Sequence, residues 1–240
     1  MRKFLIVDDN IALADNLAEI IADADLGEPM LADGGARALV LAADTRFDVL
    51  VSDVRMPNMS GVELVQRMRL VDSGLPAILV TAYTAACELG PLRHEGVLCI
   101  LPKPVPIVRL LDLLACARRD GVVALVVPET ALRDSLAEAM RSNGFAPVTA
   151  RSLSEVATFG ASPFAVVVDI RTLSDLDCDA LLLMATTLLP LPILTVATES
   201  QRSRPVPESH VSMAWPSPDH LMKELESLCD RRRFMQSEAS

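Results

Sequence analysis

Short unbroken apolar runs alternate along this chain with longer segments whose apolar positions recur at helical spacing. FLIV at Phe4–Val7 is apolar at successive positions, as a strand covered on both faces requires. In the following IALADNLAEIIADA, Leu13, Leu17, Ile20 and Ile21 share one helical face. A short run around Met30–Leu31 comes next, and ARALVLAA then predicts a helix, DVLVSD a strand and GVELVQRMRLV a helix. PAILVTA and VLCIL predict two more strands, and PIVRLLDLLACARR a closing helix. Between Tyr83 and Glu95 a helix is only weakly marked, because Gly90–Pro91 interrupts it. Alternation of this kind predicts a parallel sheet with helices on both faces and a ligand site at the carboxyl ends of the strands.

The second half repeats the order. Val122–Val127 predicts a strand, and TALRDSLAEAMRSNGF a helix closed by Gly144. APVT is short and extended, FAVVVDIR a strand, DALLLMATTLL a helix, PILTVAT and VSMAW strands, and DHLMKELESLCDRRR the last helix. ESQRSRPVPE, between Thr198 and Ser209, has no helical pattern and two prolines, so no fourth helix is expected there. The copies align in detail: FDVLVSDVR with FAVVVDIR, LPAILVTA with LPILTVAT, and LPKP with WPSP. This internal repeat predicts two doubly wound α/β domains of (βα)5 form, each with a parallel five-stranded sheet, over residues 1–120 and 121–240. Each half is long and apolar enough to bury a core of its own.

Charge narrows the choice of partner. Residues 1–120 carry 17 acidic and 12 basic side chains and the remainder 15 and 10, so neither half is a basic module of the kind that binds DNA directly. The five cysteines show no C-x-x-C pair and no histidine at metal-ligand spacing, which suits free thiols in a reducing cytoplasm. MRKFLIVDDN is too briefly apolar for a secretory leader, and no apolar run approaches the ~18 residues of a membrane span. A soluble, cytoplasmic protein is expected.

The candidate chemistry lies at the strand ends. Asp8 and Asp9 follow the first predicted strand and Asp53 the third, and these strands are neighbours in a doubly wound sheet. Three carboxylates converging on one cleft repel unless a cation joins them, and an oxygen-only cluster suits Mg²⁺. Thr81 ends the fourth strand with a hydroxyl donor, and Lys103 ends the fifth with a mobile positive charge. Acid pair, lone Asp, Thr and Lys, each at its own strand end, compose a site for phosphoryl transfer.

VDDN, SDVRMPNMSG, VTA and KP together resemble the receiver domain of two-component response regulators across the whole of residues 1–120. The resemblance implies a flavodoxin-like, CheY-like fold with Asp53 as phosphoacceptor. The donor would be a phosphohistidine on a sensor histidine kinase or a histidine phosphotransfer protein. Asp8, Asp9, Asp53 and the backbone carbonyl of Arg55 would hold Mg²⁺, and Thr81 and Lys103 would bind phosphoryl oxygens. Pro104 would follow a cis peptide bond. No enzyme activity is implied beyond phosphorylation and dephosphorylation of Asp53 itself. The family's aromatic switch residue, three before the lysine, is Ile100 here, which departs from the pattern. Tyr83 either covers the site in its place or is an ordinary loop tyrosine. Arg55 either contacts a kinase or attacking water, or is a solvated charge.

In the second half Pro128–Glu129 stands at the acid pair, Ala197 at Thr81 and Ser217 at Lys103, and only Asp169 survives, opposite Asp53. Residues 121–240 therefore resemble a degenerate receiver that keeps the fold without the chemistry. Trp215 either fills the gap beside the missing helix or anchors a partner. His94, His210 and His220 have no partner at ligand spacing. The expected function is a tandem-receiver response regulator read out by contact with a downstream protein, with a possible homodimer through the first half. The alternatives are a phosphorylation-independent adaptor or scaffold, and a phosphate sink in a relay.

Overall fold

A computed structural model describes residues 1–82, 95–156, 159–169, 192–197, 210–214 and 218–238. The first half contains β1 (Lys3–Val7), α1 (Ile11–Asp23), β2 (Glu28–Ala32), α2 (Gly35–Asp44), β3 (Val49–Asp53), α3 (Gly61–Val71), β4 (Ala77–Thr81), β5 (Val97–Pro102) and α4 (Ile107–Cys116). Its strands pair in parallel in the order β2-β1-β3-β4-β5, so the chain reverses direction of travel across the sheet between β1 and β3. This switch point opens a crevice at the carboxyl ends of those two strands.

Local sequence explains the elements. Along β1, Phe4 and Ile6 point into one apolar cluster with α1 and α4, while Leu5 and Val7 point into a second with α2 and α3. Burial on both faces is what selects the uninterrupted apolar run. Asn10 caps α1 by accepting from the Leu13 amide, and Ser60 caps α3 by accepting from the Glu63 amide. Each cap satisfies a donor that the first helical turn leaves unpaired.

The second half contains β6 (Val122–Val126), α5 (Thr130–Ser142), β7 (Ala146–Ala150), α6 (Leu153–Val156), β8 (Ala165–Asp169), β9 (Ile193–Ala197), β10 (His210–Ala214) and α7 (Pro218–Glu238). Its five strands are again parallel, in the order β10-β9-β8-β6-β7, the same switch-point order as the first sheet. The predicted helix DALLLMATTLL and the expected gap between Thr198 and Ser209 lie outside the described residues. The short α6 has no counterpart in the sequence reading, since four residues are too few to show a period. The last helix runs to Glu238, past the predicted end at Arg233, because MQSE contains no helix breaker.

Each half buries an apolar cluster of its own, around Leu5, Leu64 and Leu79 in the first and Val123, Phe145 and Leu225 in the second, and a third cluster joins them. This third cluster passes from Leu110, Leu113 and Leu114 of α4 through Ala117 and Val122 to Ala124, Val148 and Val166 of the second sheet. The connection at 117–121 is pinned from both sides. Arg118 pairs with Glu226 at 2.7 Å, and Arg119 pairs with Asp72 and donates to the Phe47 carbonyl. The Asp120 amide donates to the Gly74 carbonyl at 2.9 Å, and Arg2 donates to the carbonyls of Leu114, Ala115 and Ala117.

Beneath this junction lies Arg69, only 5% exposed, whose guanidinium donates to the carbonyls of Leu75, Glu95 and Gly96. Burial lowers its pKa to about 10, against the opposing charges of Glu95 and Asp72. Removing it strips donors from buried carbonyls and leaves a void. Arg69→Met is therefore expected to lose about 3 kcal/mol of stability in urea unfolding. A loss below about 1 kcal/mol would mean that those carbonyls find other partners.

Candidate functional site

Parallel pairing brings the strand ends into one row. Val7 stands opposite Ser52, Asp53 opposite Val80, and Thr81 opposite Pro102. Asp8, the residue after β1, is 4% exposed, and Asp53, the last residue of β3, is 8% exposed. Asp9 is exposed at the mouth. One carboxylate oxygen from each of the three lies within 4.8 Å of the other two.

Lys103 answers this concentration of negative charge. Its Nζ donates to Asp8 Oδ2 at 3.0 Å and lies 3.1 Å from Asp53 Oδ2. Partial burial by itself would lower the pKa of this ammonium. Hydrogen bonds to Asp8 and Asp53, and the charges of both, outweigh that and hold it above the ordinary lysine value. Its backbone is fixed as well: the Lys103 amide donates to the Thr81 carbonyl at 2.8 Å, and the Lys103–Pro104 peptide bond is cis. Thr81 is buried at the end of β4 beside this bond. Asp8 is steadied by the Asn10 amide, which donates to its Oδ1 at 2.9 Å.

The loop after β3 closes tightly over Asp53. The Gly61 amide donates to the Val54 carbonyl, and a Cβ at Gly61 would stand 2.1 Å from the Asp53 carbonyl oxygen. Only glycine permits that approach. Asn58 has φ of 67°, a left-handed turn that asparagine tolerates. The Ser52 hydroxyl donates to the Asp53 carbonyl at 2.9 Å. Ser52, Asn10 and Gly61 were not singled out by the sequence reading, although Gly61 closes the SDVRMPNMSG motif.

Asp8, Asp9, Asp53 and Lys103 are thus brought together, with Thr81 attached through the backbone. Arg55 is exposed beside them, and Ile100 is half-buried within β5. Tyr83 and Ser217 lie outside the described residues, as do His94 and Trp215. In the second half Glu129 is exposed just before α5, and Asp169 is fully buried at the end of β8. Ala197 ends β9. Among the described residues, the first-half trio is the one cluster of carboxylate, histidine or cysteine side chains gathered closely enough to hold a metal ion. Three hard oxygen donors with an open mouth fit Mg²⁺, which keeps several waters when bound. No helix among the described residues is long and apolar enough to cross a membrane.

Comparison with known proteins points to one family. The response regulator receiver domain family matches residues 4–115. A response regulator receiver protein of Anaeromyxobacter sp. (strain Fw109-5) is 47% identical over 208 residues, 86% of this chain and 87% of that protein. The response regulator protein FleR of Pseudomonas aeruginosa is 31% identical over 160 residues, which span 62% of this chain and 33% of FleR. The crystallised chemotaxis protein CheY4 of Vibrio cholerae is 34% identical, with a TM-score of 0.44, covering 48% of this chain and 96% of its own.

Two outcomes follow from Lys103 sitting among the carboxylates. Lys103→Met removes a competing cation, so Mg²⁺ affinity measured by calorimetry should rise about fivefold, or about 1 kcal/mol. Unchanged or weaker binding would show that the ammonium does not compete. The folded-state pKa of Lys103 is raised, so its contribution to stability is complete below 10.5 and disappears as pH climbs through the higher folded value. The difference in Tm between wild type and Lys103→Met should accordingly stay flat from neutral pH up to the ordinary lysine pKa and shrink beyond it. A difference that keeps its neutral-pH value well above pH 10.5 would contradict this.

Proposed function

Because the chain belongs to the response regulator receiver family, we propose that it is a two-component signalling protein whose first half, residues 1–120, accepts a phosphoryl group on Asp53. The observation that carries this reading is the bridge from Lys103 to Asp8 and Asp53, which sets a cation beside a carboxylate at an open strand-end crevice.

The donor is a phosphohistidine of a sensor kinase or a histidine phosphotransfer protein. An Asp53 carboxylate oxygen attacks phosphorus, the P–O bond forms as the P–N bond breaks, and the electron pair returns to the imidazole. Asp8, Asp9, Asp53 and the Arg55 carbonyl would hold Mg²⁺, which when bound would neutralise charge on the phosphoryl oxygens. Lys103 leaves its carboxylate partners for a phosphoryl oxygen, and Thr81 donates to another. Positioning and charge neutralisation suffice, since phosphoryl transfer asks for little covalent work from the protein. The protein acts on no other substrate.

Residues 121–240 serve as a degenerate receiver. The support is the shared switch-point order of the second sheet, together with an Asp169 that is fully buried where Asp53 keeps some exposure. Output is by contact with a downstream protein, without direct DNA binding, in the cytoplasm. A homodimer built on β5 and α4 of the first half would have to share that edge with β7 and α5, which lie beside it.

Incubation with Mg²⁺ and acetyl phosphate, followed by intact mass measurement, tests the reading. One added phosphoryl group is expected in wild type and in Asp169→Ala, and none in Asp53→Ala. No addition in wild type would favour a phosphorylation-independent adaptor. Two additions would give the second half a chemistry that this reading denies it.

A further inference from the structure

The arginines around the boundary between the two halves fall into two sets. Arg2, Arg69, Arg118 and Arg119 are each committed to backbone carbonyls by hydrogen bonds. The side chains of Arg109, Arg133 and Arg141 are held differently. Among the described residues they meet carboxylates alone: Arg133 stands 3.6 Å from Asp134, and Arg141 and Arg109 stand 3.7 and 3.5 Å from the same Glu138. All three separations exceed an ordinary N–H···O hydrogen bond. Three guanidiniums thus share two carboxylates, and loose, partly exposed pairs of this kind contribute little to stability.

Arg133 and Arg141 open onto a half-open cavity of about 670 Å³ between the halves. Thr130, Arg133, Glu138 and Arg141 recur at helical spacing along one face of α5 and supply its polar lining. Val97, Cys99 and Ile100 of β5 and Pro147 of β7 supply an apolar lining, and Thr149 adds a hydroxyl. The strands that carry these residues are fixed. Leu98 and Leu101 of β5 and Ala146 and Val148 of β7, their immediate neighbours in the chain, are buried in the one apolar cluster that joins the halves. The space is therefore preformed, and its volume falls within the range of about 300–1,000 Å³ usual for small-molecule sites.

The lining suits a molecule that is anionic at one end and flat at the other. Arg109 and Arg141 already converge on Glu138, so a phosphate in its place would accept from both guanidiniums at closer range. Arg133 lies two turns from Arg141, about 12 Å along the helix axis, and offers a planar cation for an aromatic ring to stack on. The apolar residues of β5 and β7 can cover such a ring, and the two threonine hydroxyls and the Asp134 carboxylate suit a sugar and the ring edge.

We propose that this cavity binds a nucleoside phosphate, whose phosphate takes the place of Glu138 on Arg109 and Arg141 and whose base lies between Arg133 and the apolar wall of Val97, Ile100 and Pro147. The site contains none of the strand-end carboxylates and requires neither Mg²⁺ nor phosphorylation of Asp53.

Cys99, half-buried in the cavity lining, is a native reporter of occupancy. Burial pushes its thiol pKa up, and the charges of Arg109 and Arg141 partly offset that. A bound anion both covers the thiol and cancels that offset, so both effects slow its alkylation. The full chain is treated with a maleimide in EDTA, with and without AMP, GMP or UMP, and Cys99 is followed by peptide mass spectrometry. Cys116, outside the cavity lining, is the internal reference. With at least one nucleotide at ten times its Kd, the Cys99 rate relative to Cys116 is expected to fall about tenfold. Calorimetry with that nucleotide should show binding weakened at least tenfold in the double variant Arg133→Gln, Arg141→Gln, and unchanged in Lys103→Met. An unaltered urea midpoint in the double variant shows that it remains folded. No protection by any of the three nucleotides would overturn the proposal, as would protection that survives the double substitution in a folded chain. Equal protection by inorganic phosphate alone would remove the base from the site. Binding lost in Lys103→Met would move it to the strand-end cluster and overturn the cavity.

Discussion

Mutual repulsion among carboxylates at neighbouring strand ends is the constraint around which the first half is organised. Two of the three acids are nearly buried, and burial sharpens repulsion by removing the water that would screen it. The fold tolerates them because a parallel switch-point sheet sets the ends of β1 and β3 side by side while β5 delivers Lys103 into the same space. The lysine is thus both a counterion for the resting cluster and a competitor for any cation that arrives there. Stability and responsiveness draw on the same few charges.

The remaining backbone detail keeps that arrangement from relaxing. The Asn10 amide orients Asp8, the Lys103 amide is tied to β4, and Gly61 lets the loop after β3 fold back onto Asp53. None of these groups carries the charge. They determine that the charges meet at 3.0–3.1 Å rather than scattering into solvent.

Much of this was legible from residue order. The doubly buried β1, β3 and β4 announced themselves as apolar runs, and each acid, threonine or lysine stood at the end of such a run. What stayed hidden is what has no period. Arg69, Arg118 and Arg119 look like ordinary surface charges in sequence, yet they are spent on backbone carbonyls and distant carboxylates. The joined core was equally invisible, because Leu110 and Leu114 serve helix burial whether their cover comes from one sheet or two. α6 escaped notice because a single turn leaves no pattern. The absence of the family's aromatic residue at Ile100 was plain from residue order alone.

The apolar cluster that crosses residue 117 carries a consequence for descent. Val148 and Val166 on the second sheet bury against the same cluster as Leu110 and Leu113 of the first half. A replacement on one side is therefore filtered by what already stands on the other, and volume lost in α4 is open to compensation from the second sheet. Under that coupling the two halves are not packed as independent cassettes. Joining either half to a foreign partner would begin from a mismatched seam.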